Sequence, residues 1–366
     1  MPSELVYRIA LTQVPQIGTV QARILVEKFG SASAIFEAKR SSLEQTEGIG
    51  SVRAAQIRGF RDFSIAETEA AFLEKYRIQA LFLTDQEYPS RLLHCYDPPT
   101  LLFYKGSANL NADRTLAIIG TRNNSEYGKQ LTEKLVAELQ PYHITIISGL
   151  AFGIDAIAHR QALVQQLPTV GVLAHGLDHI YPLQHQPLAR QMVKEGGGLL
   201  SEFCSYEGPD KHHFPVRNRI VAGLSDAVVV VESGTKGGSM VTAELALGYN
   251  KEVFCFPGRT TDTGSAGCNR LIREQKAQLI TRTADLVDAM GWNNSKNNSP
   301  QPKQLPLHLS ASETALLSLL QQKEITHLEE LLAAGTISSG ETAAALLSLE
   351  MQGLVKALPG KQFRCA

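Results

Sequence analysis

The segment Thr115-Leu-Ala-Ile-Ile-Gly120-Thr-Arg122, continuing through Ser148-Gly-Leu-Ala-Phe-Gly-Ile-Asp155 to Ala162, holds two strand–turn–helix units in succession. Leu116–Ile119 is an apolar run too short for a helix and is closed by Gly120. A helical pattern follows from about Ser125 to Leu139, then a second buried strand, Ile144–Ile147, ending in Ser148-Gly149. A second helix begins near Gly153 and carries Asp155, Ala158, His159 and Ala162. Repeated strand, glycine turn and helix predict a parallel sheet wrapped by helices. In such sheets ligands sit beyond the carboxyl ends of the strands, where Gly120, Arg122, Ser148 and Gly149 fall. Small residues admit a ligand close to the backbone, and unpaired N–H groups at a helix start favour anions, so a phosphate group is the expected ligand.

The turn GTRNNSEYG is neither G-x-G-x-x-G nor G-x-x-x-x-G-K-S/T, and no carboxylate ends the second strand. A dinucleotide or P-loop nucleotide therefore lacks its fingerprint. In their place stands Arg122, whose planar guanidinium forks onto phosphate oxygens; the alternative is an ion pair at the sheet edge.

Outward from this segment, four further apolar runs predict strands: Thr169–Ala174, Gly198–Glu202, Ala227–Val231 and Glu252–Phe256. Helical patterns separate them, at about Gln186–Lys194, Val216–Leu224 and Ser239–Leu247. Near-continuous Val, Ile and Leu mark strands buried on both faces. Upstream, Ala80–Leu83 and Leu101–Tyr104 flank Asp97-Pro-Pro99 and are expected to extend the sheet edge. Two loops add chemistry. Lys211-His-His-Phe214-Pro-Val-Arg217-Asn218-Arg219 gathers cations around one ring, which suits a single strand whose phosphates meet the cations and whose base stacks. Alternatively Phe214 and Pro215 close the core and the arginines pair locally. Glu232-Ser-Gly-Thr-Lys236-Gly-Gly238-Ser239 is a glycine-rich turn before a helix, a second anion cradle.

His175, Asp178, His179 and His185 lie in a loop without the fixed spacing of a metal site, and are read as solvated or core groups; no metal or cofactor is expected. Asp155 and His159, four apart on one helix face, lack a companion nucleophile, so they are expected to brace the glycine turns.

The flanks are different in kind. Residues 1–72 read as a small helical domain whose turns Val14-Pro-Gln-Ile-Gly18 and Glu47-Gly-Ile-Gly50 resemble the helix-hairpin-helix element. Residues 73–291 form the sheet domain, 292–308 an Asn- and Pro-rich linker, and 309–366 a last domain. There Ser312–Gln321, His327–Ala333 and Thr342–Met351 predict helices, and Gly353–Arg364 a strand, a Pro-Gly turn and a strand, an order similar to a winged helix. Ala343–Leu347 is mostly apolar, which favours protein contact or packing there over DNA. Net charge is −1, so nucleic-acid affinity must come from local patches. Scattered cysteines without a C-x-x-C pair, and no apolar run of membrane length, point to reduced thiols in the cytoplasm.

The motifs GTRNNSEYG, SGLAFGIDAIAHRQAL, GLDHIYP, FPVRNRIVAGLSDAVVVVE, GGSMVTAELAL, VFCFPG and GCNRLI, in this order, resemble those of the DNA-processing protein A (DprA/Smf) family. The resemblance implies an extended Rossmann-like core with a helical N-terminal domain and a C-terminal winged helix. It further implies single-stranded DNA binding, homodimerisation through the core, and loading of the RecA recombinase in natural transformation and recombination, without catalysis. Carried over by position, it places Gly120, Thr121 and Arg122, then Ser148, Gly149, Ala151 and Gly153, then Phe214, Arg217, Asn218 and Arg219 at the DNA. Lys211, Lys236, Gly238 and Ser239 join them from the two loops. The loop ESGTKGGSM departs from the family's shorter S-G-S/T. Replacement of Arg122 or Arg217 is expected to weaken binding and leave the fold intact, and apolar segments between Leu271 and Met290 are candidates for the dimer surface. The competing reading is an enzyme of the nucleoside-monophosphate phosphoribohydrolase type, whose P-G-G-x-G-T-x-x-E loop ESGTKGGSMVTAE echoes.

Overall fold

Short apolar runs punctuated by glycine give short strands, and amphipathic runs between them give helices. In the computed structural model, which describes residues 2–293, 309–321, 326–333, 337–352, 354–358 and 362–365, the chain starts with six helices. They are α1 (Glu4–Gln13), α2 (Thr19–Phe29), α3 (Ala32–Glu37), α4 (Arg40–Glu44), α5 (Gly50–Gly59) and α6 (Ser64–Tyr76). Next come β1 (Gln79–Phe82), α7 (Ser90–Leu93) and β2 (Leu101–Gly106). The alternating core follows: β3 (Thr115–Ile119), α8 (Glu126–Glu138), β4 (Thr145–Ser148), α9 (Ile154–Val164), β5 (Thr169–Val172), α10 (Gln186–Lys194) and β6 (Gly198–Ser201). It continues through α11 (His213–Gly223), β7 (Ala227–Val230), α12 (Gly238–Gly248), β8 (Glu252–Cys255), α13 (Ala266–Arg273), β9 (Gln278–Leu279) and α14 (Thr283–Ala289). Residues Met1–Asn293 form one compact unit and Asn294–Ala366 a second.

The nine strands of the first unit lie in the order β1-β2-β6-β5-β4-β3-β7-β8-β9. From β6 to β9 all pairs are parallel; β2 pairs antiparallel with β6, and β1 with β2, so the two early strands do extend an edge. Successive strands β3 to β6 step away from β3 on one side, and β7 to β9 on the other. The order therefore reverses between β3 and β7, and a crevice opens beyond their carboxyl ends.

Side chains of β3 alternate across the sheet. Leu116 and Ile118 pack with Leu135, Ile146, Val229, Phe254 and Trp292 on one face. Ala117 and Ile119 join the other face, whose core runs without a break into Ile9, Leu25, Ile35, Leu43 and Ile57 of the N-terminal helices. Glu69 of α6 is buried and accepts from the Ser205 amide and hydroxyl, tying the helices to the loop after β6. Residue 72 lies inside α6, and Trp292, at the start of the expected linker, is buried; the rest of that linker, 294–308, lies outside the described residues. The two glycine turns of the N-terminal helices lie side by side, since the Arg53 guanidinium donates to the carbonyls of Gln16 (3.0 Å) and Gly48 (2.7 Å).

The segment 271–290 narrows an expectation. Leu271, Ile280, Leu286 and Val287 are buried in this unit's own cores; Leu279, 50 % exposed on the edge strand β9, is the large apolar side chain most open there, with Ile272 and Met290 half-buried.

In the second unit, α15 (Ala311–Leu320), β10 (Thr326–His327), α16 (Leu328–Ala333), α17 (Ser339–Met351), β11 (Val355–Leu358) and β12 (Gln362–Cys365) build a winged-helix domain. Its sheet order is β10-β12-β11, antiparallel, over a core of Leu316, Leu320, Leu331, Leu346, Leu349 and Val355. Ser310 with Glu313 and Ser338 with Glu341 form capping boxes that start α15 and α17. The short strand β10 replaces the first residue of the expected second helix, and α17 starts three residues before the apolar pattern does. The Pro359-Gly360 turn lies outside the described residues.

Candidate functional site

Three loops interlock at the crevice. The Thr121 amide donates to the Glu232 carbonyl (2.7 Å), joining the turn after β3 to the end of β7. The Ile154 amide donates to the Thr121 carbonyl (3.2 Å), and the Glu232 carboxylate accepts from the Ser125 amide (2.9 Å) and hydroxyl (3.1 Å). Gly120 is required because a Cβ there would stand 2.5 Å from Ile154 and 2.9 Å from the Glu232 carbonyl. Gly153 has φ +74° and would press a Cβ to 2.2 Å from the Thr121 oxygen. These contacts set a cavity of about 270 Å³.

Its floor is a buried arginine. Arg217, 5 % exposed, comes up from α11 and donates to the carbonyls of Gly149 and Val172 and, at 3.2 Å, to Asn218 Oδ1. Gly149 leaves it room, as a Cβ there would fall 2.5 Å from the guanidinium. Burial pulls the Arg217 pKa down to about 10, while the neighbouring Asp155 opposes the fall, so the cation persists at neutral pH. Asp155, also buried, accepts from the amides of Gly149 (3.1 Å) and Ala151 (3.4 Å), bracing that turn; burial raises its carboxyl pKa.

The rim is exposed and cationic. Arg122 lies over the Phe214 ring, 5.3 Å from its centroid, and Lys236 stands on the loop before α12. The first turn of α12 presents backbone N–H groups that no intrahelical carbonyl satisfies. Gly237, at φ +141°, aims that turn; Asn218 Nδ2 donates to the Gly238 carbonyl (3.2 Å), and the Ser233 and Ser239 hydroxyls meet at 2.7 Å.

Of the residues expected at the site, Gly120, Thr121, Arg122, Gly149, Ala151, Phe214, Arg217, Asn218, Lys236, Gly238 and Ser239 line this one cavity. Four go elsewhere. The Ser148 hydroxyl is buried and donates to the Ile118 carbonyl (2.6 Å) across the sheet. Gly153 packs against the Thr121–Arg122 backbone, behind the wall. Lys211 sits on an exposed turn before α11, outside the cavity. Arg219 turns to the opposite side of α11, donates to the Asp97 carbonyl and pairs with Glu202. Its local pairing follows from helical phase, because two residues rotate the side chain about 200° from Arg217. Ser233, Gly234, Gly237 and Thr242 also line the cavity. Their position one to three residues from expected ones, in or just after a glycine-rich turn, was the available signal.

The loop histidines are internal struts. His175, buried, uses Nδ1 on the Gly176 carbonyl (2.8 Å) and receives the Tyr181 amide on Nε2 (3.2 Å); His185 Nδ1 meets the Leu150 carbonyl at 2.9 Å. His159 is fully buried with Nδ1 2.6 Å from the Thr169 hydroxyl, and burial drives its pKa down to about 3.

Comparison with known proteins places these features in a group. The profile of DNA recombination-mediator protein A matches residues 79–291, and that of the DprA winged helix domain residues 300–361. Protein Smf of Synechocystis is 32% identical over 99% of this chain and 99% of its own length. The X-ray structure of DNA processing protein A from Streptococcus pneumoniae superposes with a TM-score of 0.62 at 32% identity, covering 79% of this chain and 98% of that one. A solved structure of DNA processing protein A from Helicobacter pylori, described for that protein's single-stranded DNA binding mode, gives 0.54 at 33% identity, covering 60% of this chain and 99% of that one.

Proposed function

Because the chain belongs to the DNA recombination-mediator protein A family, we propose that it is a DNA-processing protein that binds single-stranded DNA in the crevice between β3 and β7. In this reading it protects incoming DNA and delivers it to the RecA recombinase during natural transformation and homologous recombination. It acts in the cytoplasm as a homodimer joined through the Rossmann-like unit. The single observation that carries the reading is the cavity itself: a buried arginine below, Arg122 on an aromatic ring and Lys236 above, and a helix start facing inward. Phosphate meets the cations and amides, and a base meets the ring. Its Helicobacter pylori relative, whose single-stranded DNA binding mode has been studied, supports the same ligand class here.

The crevice also favours holding over cutting. Its one carboxylate among the described lining residues, Asp155, is engaged by two amides, and no histidine joins the lining. The phosphoribohydrolase alternative would use Glu244, which instead lies exposed on α12, 2.8 Å from Lys276, and is absent from the cavity wall.

Fluorescence anisotropy with labelled oligo-dT and a duplex of equal length tests the core proposal. Preferential binding of the single strand, weakening with salt at a slope of about −0.7 per phosphate contacted, is expected. A flat salt response or no binding in dilute buffer rejects it. Acceleration of RecA filament growth on coated strands, and absence of free base from nucleoside monophosphates, are the matching expectations for delivery and for lack of catalysis.

A further inference from the structure

Beyond the rim, the cleft continues into a shelf of exposed rings. Phe152, in the turn between β4 and α9, is 42% exposed, and Tyr181, in the loop after β5, is 47% exposed. Both edge a notch that shares Arg122, Gly149, Ala151, Phe214 and Arg217 with the anion cavity, so the two form one continuous surface. The Tyr181 ring stands 6.1 Å from Phe214, which in turn carries the Arg122 guanidinium. The Phe152 ring leans on His185 at 4.9 Å, and the Tyr181 backbone is anchored through its amide on His175, while both side chains remain exposed to solvent. Exposed rings grouped beside a cationic cradle suit a ligand that alternates charge with flat apolar surface, which is the chemistry of a polynucleotide.

We propose that Phe152 and Tyr181 form a base-stacking shelf that seats the nucleobases next to the phosphate held by the Arg122–Arg217 cavity. The notch has a volume of about 30 Å³, too small to swallow a base, so the bases lie across its mouth on the rings. Stacking on a π-face tolerates any base, and the shelf therefore adds affinity without sequence preference. The proposal rests on the single-strand reading above.

The test measures anisotropy with oligo-dT and with an oligonucleotide of equal length whose sugars carry no bases. The wild type is expected to bind oligo-dT more tightly than the abasic strand. The double variant Phe152→Ala, Tyr181→Ala is expected to lose about fivefold or more on oligo-dT, little on the abasic strand, and none of its salt slope. Phe152→Tyr with Tyr181→Phe restores wild-type binding. Equal affinity of wild type for the two strands overturns the shelf without calling on any variant. Equal losses on both strands, or none on oligo-dT, overturn it as well. If the wild type binds neither strand, the underlying single-strand reading falls with it, an outcome distinct from failure of the shelf alone.

Discussion

Two arginines of one site, Arg122 and Arg217, illustrate how burial decides what a cation does. Arg122 is exposed and touches a ring, so Arg122→Ala should leave the thermal midpoint nearly unchanged. It should weaken oligo-dT binding at low salt and lower the salt slope by about 0.7, the share of one phosphate. Arg217 holds the ends of β4 and β5 through their carbonyls. Arg217→Ala strands those acceptors and should cost about 2–4 kcal/mol in denaturant unfolding, contrary to the expectation that the fold would be indifferent. Sequence shows Arg122 in a glycine turn and Arg217 in a basic loop, but floor and rim differ by depth, which a motif does not carry. His159 gives a pH dependence. Its pKa is about 3 in the fold against an ordinary 6.5, so below pH 6.5 the unfolded chain takes up a proton that the folded one refuses. Stability from this residue is complete above pH 6.5 and is lost as pH falls, by roughly 2 kcal/mol between pH 7 and pH 5. The loss should be absent from His159→Gln and so appear as a pH-dependent difference between wild type and variant, read by urea unfolding at each pH.

At the scale of elements, the strands were legible because double-sided burial writes Val, Ile and Leu in unbroken runs, as in Ala227–Val230. The two-residue strands β9 and β10 left no such run, and pairing alone defines them. The helix starts were legible through glycine and serine, although α11 begins three residues earlier than its apolar pattern, across Phe214-Pro215. The cradle before α12 depends on one backbone angle. Gly237→Ala puts a side chain at φ +141° in open space, so the cost is conformational, about 1–3 kcal/mol, and not a collision. The expected result is a local shift of the α12 start, seen as weaker oligo-dT binding with the remainder of the fold retained by circular dichroism. A variant that binds as wild type would remove α12 from the site.

Across the whole molecule, the N-terminal helices share a core with the sheet, whereas the winged helix has its own. Ending the chain at Asn293 should therefore leave a soluble, cooperatively melting protein that still binds oligo-dT. Starting it at Ile78 should bare the surface that covers Ile9, Leu25 and Ile57, and produce aggregation or a markedly lower melting midpoint. Equal stability of that fragment would show that the shared core contributes little. The winged helix carries Glu341, Leu347, Glu350 and Met351 on the exposed face of α17, with no lysine or arginine on that helix. That helix therefore offers no cation to a phosphate backbone.

The guanidinium beneath the crevice is fastened to main-chain oxygens and, among the described residues, to no carboxylate within ion-pair distance. No ion pair must be broken when a strand arrives, and dissolved ions cannot dislodge the charge. Concentrated electrolyte should therefore empty the protein without deforming it, and simple dilution should refill it at once, with no lag for rebuilding the seat.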